Sequence, residues 1–165
     1  MALSVVVIET GELGDRSYVA HDGEVALVVD PQRDLDRVER VLDDLGLRVA
    51  LVAETHIHND YVTGGHELVR RTGADYLVAA SEDVAFARDP VSDGDERRAG
   101  TLTVTVLATP GHTDTHLAYL VGDGHRTRAA FTGGSSGTAR GSARRCAPGR
   151  RGRCARHCRT AVTRR

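Results

Sequence analysis

The sequence predicts an α/β protein in which helices are layered on a mixed β-sheet. Short strand patterns recur along residues 3–131, two amphipathic segments interrupt them, and glycine-containing hairpin signals separate several neighbouring strands. The chain has 165 residues, of which 40% are hydrophobic and 27% are charged. This length and composition suit one globular domain with a sizeable core.

The first part of the chain is predicted as three strands, a helix and a fourth strand. The strands span 3–9, 17–21 and 24–30, with the hairpin signal Asp22-Gly23 before the third. Asp34 is predicted to cap a helix that ends at Gly46, because the intervening apolar residues recur at helical spacing. A buried strand at 47–53 follows.

The second part is predicted to alternate short helices with strands before a final hairpin. A helix at 65–71 is followed by a strand at 75–79 and by a helical turn at 81–87. The polar segment 89–100 is expected to be a loop. Alternating threonine and apolar residues predict a strand from 101 to 106. The last two strands, 117–121 and 127–131, are predicted to form a hairpin across a Gly-Asp-Gly turn.

A cluster of candidate metal ligands follows the buried strand that ends at Ala53. In extended backbone, the side chains of His56, His58 and Asp60 would point to one side, because successive residues alternate. Imidazole and carboxylate groups both bind Zn or Fe. The sequence therefore predicts a metal site at this strand end. The following pair Gly64-Gly65 is interpreted as serving backbone geometry, with anion binding at the helix start as the alternative.

Three motifs together resemble the metallo-β-lactamase superfamily. Residues 54–60 (ETHIHND) resemble its HxHxD signature, residues 109–113 (TPGHT) its PGHT turn, and residues 131–134 (FTGG) its FTGD strand end. The longer string THIHNDYVTGG is most similar to the persulfide dioxygenase and rhodanese-linked branch, and glyoxalase II is a close relative. The resemblance covers residues 1–134 and implies an αββα sandwich, of which this chain would carry the N-terminal portion.

The resemblance also implies a set of site residues. His56, His58 and His112 match the three histidines of the first metal site. Asp60 matches the acid of the second site, and we expect it to be catalytic. Tyr61 stands where two-metal relatives carry a further histidine, so one metal ion is expected.

The identity of that metal stays open between Zn(II) and Fe(II). Gly134 occupies the place of the fourth ligand in the family, the Asp of FTGD. Three histidines can hold Zn(II) with an open position, whereas Fe(II) in dioxygenases prefers two histidines and a carboxylate. Asp60 or Asp123 could supply that carboxylate. His116 is interpreted mainly as a structural residue, with a supporting role behind the metal as the alternative.

The principal functional interpretation is a persulfide dioxygenase that oxidises a thiol persulfide with O2. The alternative is a zinc-dependent thiolester hydrolase resembling glyoxalase II. In either case the expected partner is a small thiol-derived molecule, and oligomeric state stays undetermined. The start of the chain lacks a signal-peptide pattern, and no apolar run approaches the ~18 residues of a membrane helix. We therefore expect a cytoplasmic protein without a membrane partner.

Residues 135–165 differ in composition from the rest of the chain. Residues 1–134 hold 12 arginines and all 23 acids, a net charge of 12 − 23 = −11, whereas 135–165 hold the other 10 arginines and no acid. We interpret 1–134 as an incomplete metallo-β-lactamase-like domain and 135–165 as a disordered or frameshifted tail. An arginine-tail nucleic-acid binder and an inactive fragment are the remaining alternatives, and nucleic acid is the less favoured partner.

Overall fold

The computed structural model describes residues 3–10, 15–59 and 61–133, which form two facing β-sheets with two helices outside the first. The first sheet has six strands: β1 (Ser4–Thr10), β2 (Asp15–His21), β3 (Val25–Val29), β4 (Arg48–Ala53), β5 (Asp75–Ala79) and β6 (Asp89–Val91). The second has four: β7 (Glu96–Ala99), β8 (Leu102–Ala108), β9 (Leu117–Gly122) and β10 (Thr127–Phe131). Helix α1 (Asp36–Leu45) connects β3 to β4, and α2 (Gly65–Thr72) connects β4 to β5.

The strand directions bring two strand ends together at one edge of the first sheet. Strands β1, β2 and β3 are antiparallel, whereas β3, β4, β5 and β6 are parallel neighbours. In the β3–β4 ladder, Val29 lies opposite Ala53. The residues that follow these two strands, Asp30 and Glu54, are therefore neighbours at the carboxyl edge of the sheet.

Two apolar layers hold the fold together. The larger layer lies between the sheets and contains Leu27, Val104, Tyr119 and Phe131, each at most 1% exposed. The second layer lies between the first sheet and the helices, where Val38 and Leu68 pack against that sheet. Because both faces of β3 are covered, all five of its residues, VALVV, are buried. None of the helices among the described residues is long and apolar enough to cross a membrane.

The predicted fold class is confirmed, since the structure is a two-sheet α/β sandwich with helices on one outer face. The strand at 47–53, the second helix and the final hairpin all appear close to their predicted bounds. The Asp34 cap was wrong. Helix α1 begins at Asp36, and its N-cap is Leu35, which makes no side-chain cap. Leu35 is only 3% exposed, so burial against the sheet sets this helix start.

Two further predictions were wrong for residues 81–100. Residues 81–87 form a turn and loop rather than a helical turn. The Arg88 guanidinium donates to the Glu82 and Val84 carbonyl oxygens there. The expected polar loop at 89–100 contains β6 and β7. Asp89 and Arg97 form a two-bond ion pair at 2.5 and 2.8 Å that ties these strands together.

Candidate metal centre

The candidate site lies where the carboxyl ends of β3 and β4 meet the loop between β8 and β9. Thr55 connects the two sheets, because its carbonyl oxygen accepts the Leu117 amide at 2.7 Å. That bond places the β8–β9 loop, which carries His112 and His116, against the segment that follows β4. The site therefore forms only when the two sheets pack together.

The three predicted histidine ligands lie together around His56. The ring centroid of His56 is 4.0 Å from that of His58 and 4.7 Å from that of His112. His116 stacks on the same ring at 4.9 Å and 23°. His56 is 6% exposed, whereas His112 lies on the exposed loop. The cluster thus has a buried side and a side that opens to solvent.

Asp30 supports the cluster from behind. One of its carboxylate oxygens accepts the Thr55 amide at 2.7 Å, and the other accepts the Thr55 hydroxyl at 2.8 Å. The residue is 2% exposed and has a left-handed backbone, with φ of 49°. Non-glycine residues adopt that conformation at a cost, and Asp and Asn adopt it most readily. The strain is retained here because the carboxylate fixes the backbone and side chain of Thr55.

This arrangement sets which nitrogen of His56 faces the site. The Thr55 hydroxyl has one proton, which it donates to Asp30, and its oxygen lies 3.0 Å from His56 Nδ1. The oxygen must then act as the acceptor, so Nδ1 carries the proton. We infer that His56 leaves Nε2 free to bind a metal ion.

His58 has the opposite arrangement. Its Nε2 lies 2.9 Å from the Tyr61 hydroxyl oxygen, 3.3 Å from an Asp30 carboxylate oxygen and 3.7 Å from an oxygen of Glu54. The Tyr61 ring also stacks on His58 at 4.2 Å. Oxygen atoms surround Nε2, so this nitrogen is the one that carries the proton. Nδ1 is then the nitrogen that His58 offers to a metal ion.

The electrostatics keep the central histidine neutral. Burial, and then the proximity of His58, lower the pKa of His56 to about 4. Burial also lowers the pKa of His116. A neutral imidazole has a lone pair for a metal ion, so His56 needs no proton loss to bind one at neutral pH. Burial, and then the Asp30 charge, raise the pKa of Glu54 well above its ordinary value.

The donor chemistry of the cluster fits a divalent transition-metal ion, because neutral imidazoles are common ligands of Zn and Fe. A second set lies behind it. Among the described residues, one set of three candidate ligands has its ligand atoms all within 4.8 Å of one another: Asp30, Glu54 and His58. The rings of the three predicted histidine ligands are adjacent, but their nitrogen atoms do not all lie within 4.8 Å of one another. Because Thr55 already binds both Asp30 oxygens, we interpret the second set as the support for His58.

Several site residues were not singled out by the sequence analysis. Asp30 and Glu54 each follow a buried apolar strand directly, and a charged residue at that position was the available signal. His116 is fully buried, and its Nε2–H donates to the Thr132 carbonyl oxygen, 3.0 Å away. The structural interpretation of His116 agrees with this contact. The predicted catalytic residue Asp60 lies outside the described residues, as do Gly134 and 135–165.

The glycine pair after the motif serves packing, as predicted. A Cβ on Gly65 would lie 2.6 Å from the Tyr76 hydroxyl oxygen, and one on Gly64 would lie 2.7 Å from Leu35. Both distances are too short for a real side chain. These two glycines let the start of α2 approach β5 and the segment that follows β3.

The fold and site together define an α/β sandwich with a candidate metal-binding histidine cluster where its two sheets meet. The chain is 38% identical over 109 residues to a hydroxyacylglutathione hydrolase of Methylobacillus flagellatus, covering 65% of this chain and 43% of that protein. A hydroxyacylglutathione hydrolase of Halorhodospira halophila is 36% identical over 131 residues, covering 76% and 51%. The chain thus spans about half the length of these curated relatives. No family model matches the chain.

Two solved structures are similar to this chain over more than three quarters of its length. A metallo-β-lactamase from Staphylococcus aureus superposes with a TM-score of 0.72 at 28% identity, covering 79% of this chain and 43% of that one. ETHE1 from Myxococcus xanthus superposes with a TM-score of 0.69 at 32% identity, covering 78% and 56%. The chain belongs to the metallo-β-lactamase superfamily.

Proposed function

We propose that the protein is a metal-dependent hydrolase that cleaves a thiolester of a small thiol such as glutathione. The observation that carries this proposal is the cluster of His56, His58 and His112, in which the Asp30 network sets the proton positions of the first two. The hydroxyacylglutathione hydrolases that resemble the chain support the substrate class. They favour the hydrolase over the persulfide dioxygenase that the sequence motifs suggested first.

The residues divide into ligands and supports. His56 through Nε2, His58 through Nδ1 and His112 would hold one divalent ion, with Zn(II) favoured for hydrolysis. When bound, the ion would supply Lewis acidity toward the thiolester carbonyl and lower the pKa of coordinated water. Asp30 and Thr55 hold His56 and His58 in the required orientation. Asp60, which lies two residues after His58 in the sequence, stays our predicted catalytic residue.

A second candidate is oxidation of a thiol persulfide by O2 at Fe(II). The similarity to ETHE1 from Myxococcus xanthus supports it. A second observation is the position of Tyr61, whose ring and hydroxyl both engage His58. A tyrosine has no imidazole to offer a second metal ion, which agrees with our proposal of one ion in either candidate. The two candidates share the same three histidines and differ in the metal and the co-substrate.

Metal binding is the first test, because it depends on described residues. We expect the protein to bind one equivalent of Zn(II) or Fe(II), measured by elemental analysis after gel filtration. His56→Ala and His112→Ala should each abolish stoichiometric binding. His125→Ala, which removes an exposed histidine in the β9–β10 turn, is the matched control and should bind normally. Full metal occupancy in both ligand variants would refute the site.

Two activity measurements separate the candidates. The Zn(II)-loaded protein should release glutathione from a glutathione thiolester, followed with a thiol reagent. The Fe(II)-loaded protein should consume no O2 with glutathione persulfide if the hydrolase proposal is correct. Stoichiometric iron with persulfide-dependent O2 uptake, and no thiolester cleavage, would establish the second candidate instead. A small thiol-derived partner and a cytoplasmic location are part of this proposal.

A further inference from the structure

We propose that Glu54 is a positioning residue that fixes the ring of His58 and connects this metal ligand to the start of α2. This inference rests on the proposed metal-dependent function, which needs His58 to present Nδ1. The carboxyl group of Glu54 is not offered as a ligand. It would act on the metal through His58 alone.

The two carboxyl oxygens of Glu54 have different surroundings. Oε1 accepts the Tyr76 hydroxyl at 2.9 Å and also the Thr63 hydroxyl. Oε2 has no hydrogen-bond partner and lies 3.7 Å from His58 Nε2. The residue is 1% exposed, so water does not readily compensate for the missing bond. At 3.7 Å the contact with His58 is longer than a hydrogen bond, so it is electrostatic, and it favours a proton on Nε2 when the Glu54 carboxyl group is ionised.

The backbone of Glu54 is held from both sheets. Its amide donates to the Leu77 carbonyl of β5 at 3.0 Å, and its carbonyl oxygen accepts the Tyr119 hydroxyl of β9 at 2.8 Å. Tyr76 and Thr63 hold the carboxyl group from the other end. The direction of Oε2 is therefore fixed by β5, β9 and the start of α2 rather than by its contact with His58.

This fixed direction distinguishes Glu54 from the other neighbours of His58. Asp30 Oδ1 also accepts the Thr55 amide, so it serves two donors. The Tyr61 hydroxyl lies 3.4 Å from the Asp30 carbonyl oxygen, to which it donates. Glu54 Oε2 has no such competing donor. It disfavours a ring flip of His58, because a flip would turn a C–H group of the imidazole toward Oε2 in place of the Nε2–H group.

The test compares Glu54→Leu, which removes both oxygens, with Glu54→Gln. Glutamine can turn its carbonyl oxygen toward His58 and its NH2 group toward the hydroxyl oxygens of Thr63 and Tyr76. We expect Glu54→Leu to weaken Zn(II) binding about 10–100-fold, as loss of an outer partner of a ligand typically does. Glu54→Gln should restore most of the affinity. Glu96→Gln, which changes an exposed carboxyl group on β7 in the same way, is the control and should bind as the wild type does.

Two readouts separate positioning from a general loss of structure. The ¹⁵N NMR spectrum of the metal-free protein should show His58 with its proton on Nε2, and in Glu54→Leu the two tautomers should mix. In a double-mutant cycle, Glu54→Leu should have no further effect on Co(II) or Zn(II) affinity once His58 is alanine. The Co(II) absorption spectrum should shift in Glu54→Leu and return in Glu54→Gln.

The opposite results would overturn the inference. These are an unchanged His58 tautomer in Glu54→Leu, or an equal loss of affinity with and without His58. Failure of the proposed function is distinguishable, because it would appear in the wild-type protein. In that case the wild type would bind no metal or cleave no thiolester, while the His58 tautomer would still depend on Glu54.

Discussion

Replacing Asp30 with asparagine should reverse the proton position of His56 without disturbing the backbone. Asparagine tolerates the left-handed conformation at φ of 49°, so the segment after β3 should keep its course. Its oxygen can still accept the Thr55 amide. Its NH2 group, however, would face the Thr55 hydroxyl as a donor. That hydroxyl would then donate to His56 Nδ1, which places the His56 proton on Nε2, where the metal should bind.

The expected loss of affinity follows from the number of bonds that no longer fit. One contact no longer fits, the Thr55 hydroxyl bond at 2.8 Å, whereas the His58 Nε2 contact at 3.3 Å keeps its oxygen acceptor and loses only the charge. At about 1–1.5 kcal/mol for the mismatched bond, restoring the binding tautomer of His56 costs the same amount. Since 1.4 kcal/mol corresponds to a factor of ten, Asp30→Asn should weaken Zn(II) binding roughly 5–13-fold.

Competition with a chromophoric chelator at neutral pH would measure this change. Asp44→Asn, an exposed position on α1, is the matched control and should bind as the wild type does. Thermal unfolding of the metal-free proteins would show whether the fold is intact. Wild-type affinity in a folded Asp30→Asn protein would refute the reasoning that this carboxylate sets the ligand tautomers.

Three further results are expected. In urea unfolding, Gly65→Ala should lower the free energy of unfolding by about 1–3 kcal/mol, since its Cβ would lie 2.6 Å from a buried hydroxyl. The control is Gly73→Ala, whose Cβ would have no atom within 4 Å and which should cost only about 1 kcal/mol. Hydrogen bonds from Thr101 and nearby backbone amides lower the pKa of Asp22. The ionised Asp22 therefore stabilises the fold at pH values above the ordinary Asp pKa. As the pH falls below about 4, the wild type should lose more free energy of unfolding than Asp22→Asn does. Zn(II) at 100 times its Kd should stabilise the folded protein by about 2.7 kcal/mol, seen in calorimetry as a higher unfolding temperature that a chelator reverses. An unchanged unfolding temperature would count against a metal site in the folded state.

The sequence was sufficient where the relevant interactions are local or follow a simple period. The alternation of residues 101–106 predicted β8, and the Gly-Asp-Gly turn predicted the β9–β10 hairpin. It was insufficient for β6 and β7, whose segments DPV and ERRA are polar. Their strand structure depends on pairing with β5 and β8 and on the Asp89–Arg97 ion pair. Those contacts are invisible in a local pattern.

The candidate site divides in the same way. The motifs predicted that His56, His58 and His112 lie together, and their rings do so. The support behind them was not predicted, because Asp30 and Thr55 are 25 positions apart in the chain. Only the parallel register of β3 and β4 makes them neighbours. A spacing rule finds ligands on one segment, whereas their supports come from the next strand.

The unequal support of the three histidines implies an order in their contribution to metal binding. His56 and His58 are held by Thr55, Asp30 and Tyr61 before any ion binds, so they lose little freedom on coordination. His112 lies on the exposed loop, where its ring has more freedom to lose. Loss of His112 therefore removes a ligand bond whose net contribution is already reduced by ordering, whereas Asp30→Asn leaves all three ligands in place and weakens the support of His56.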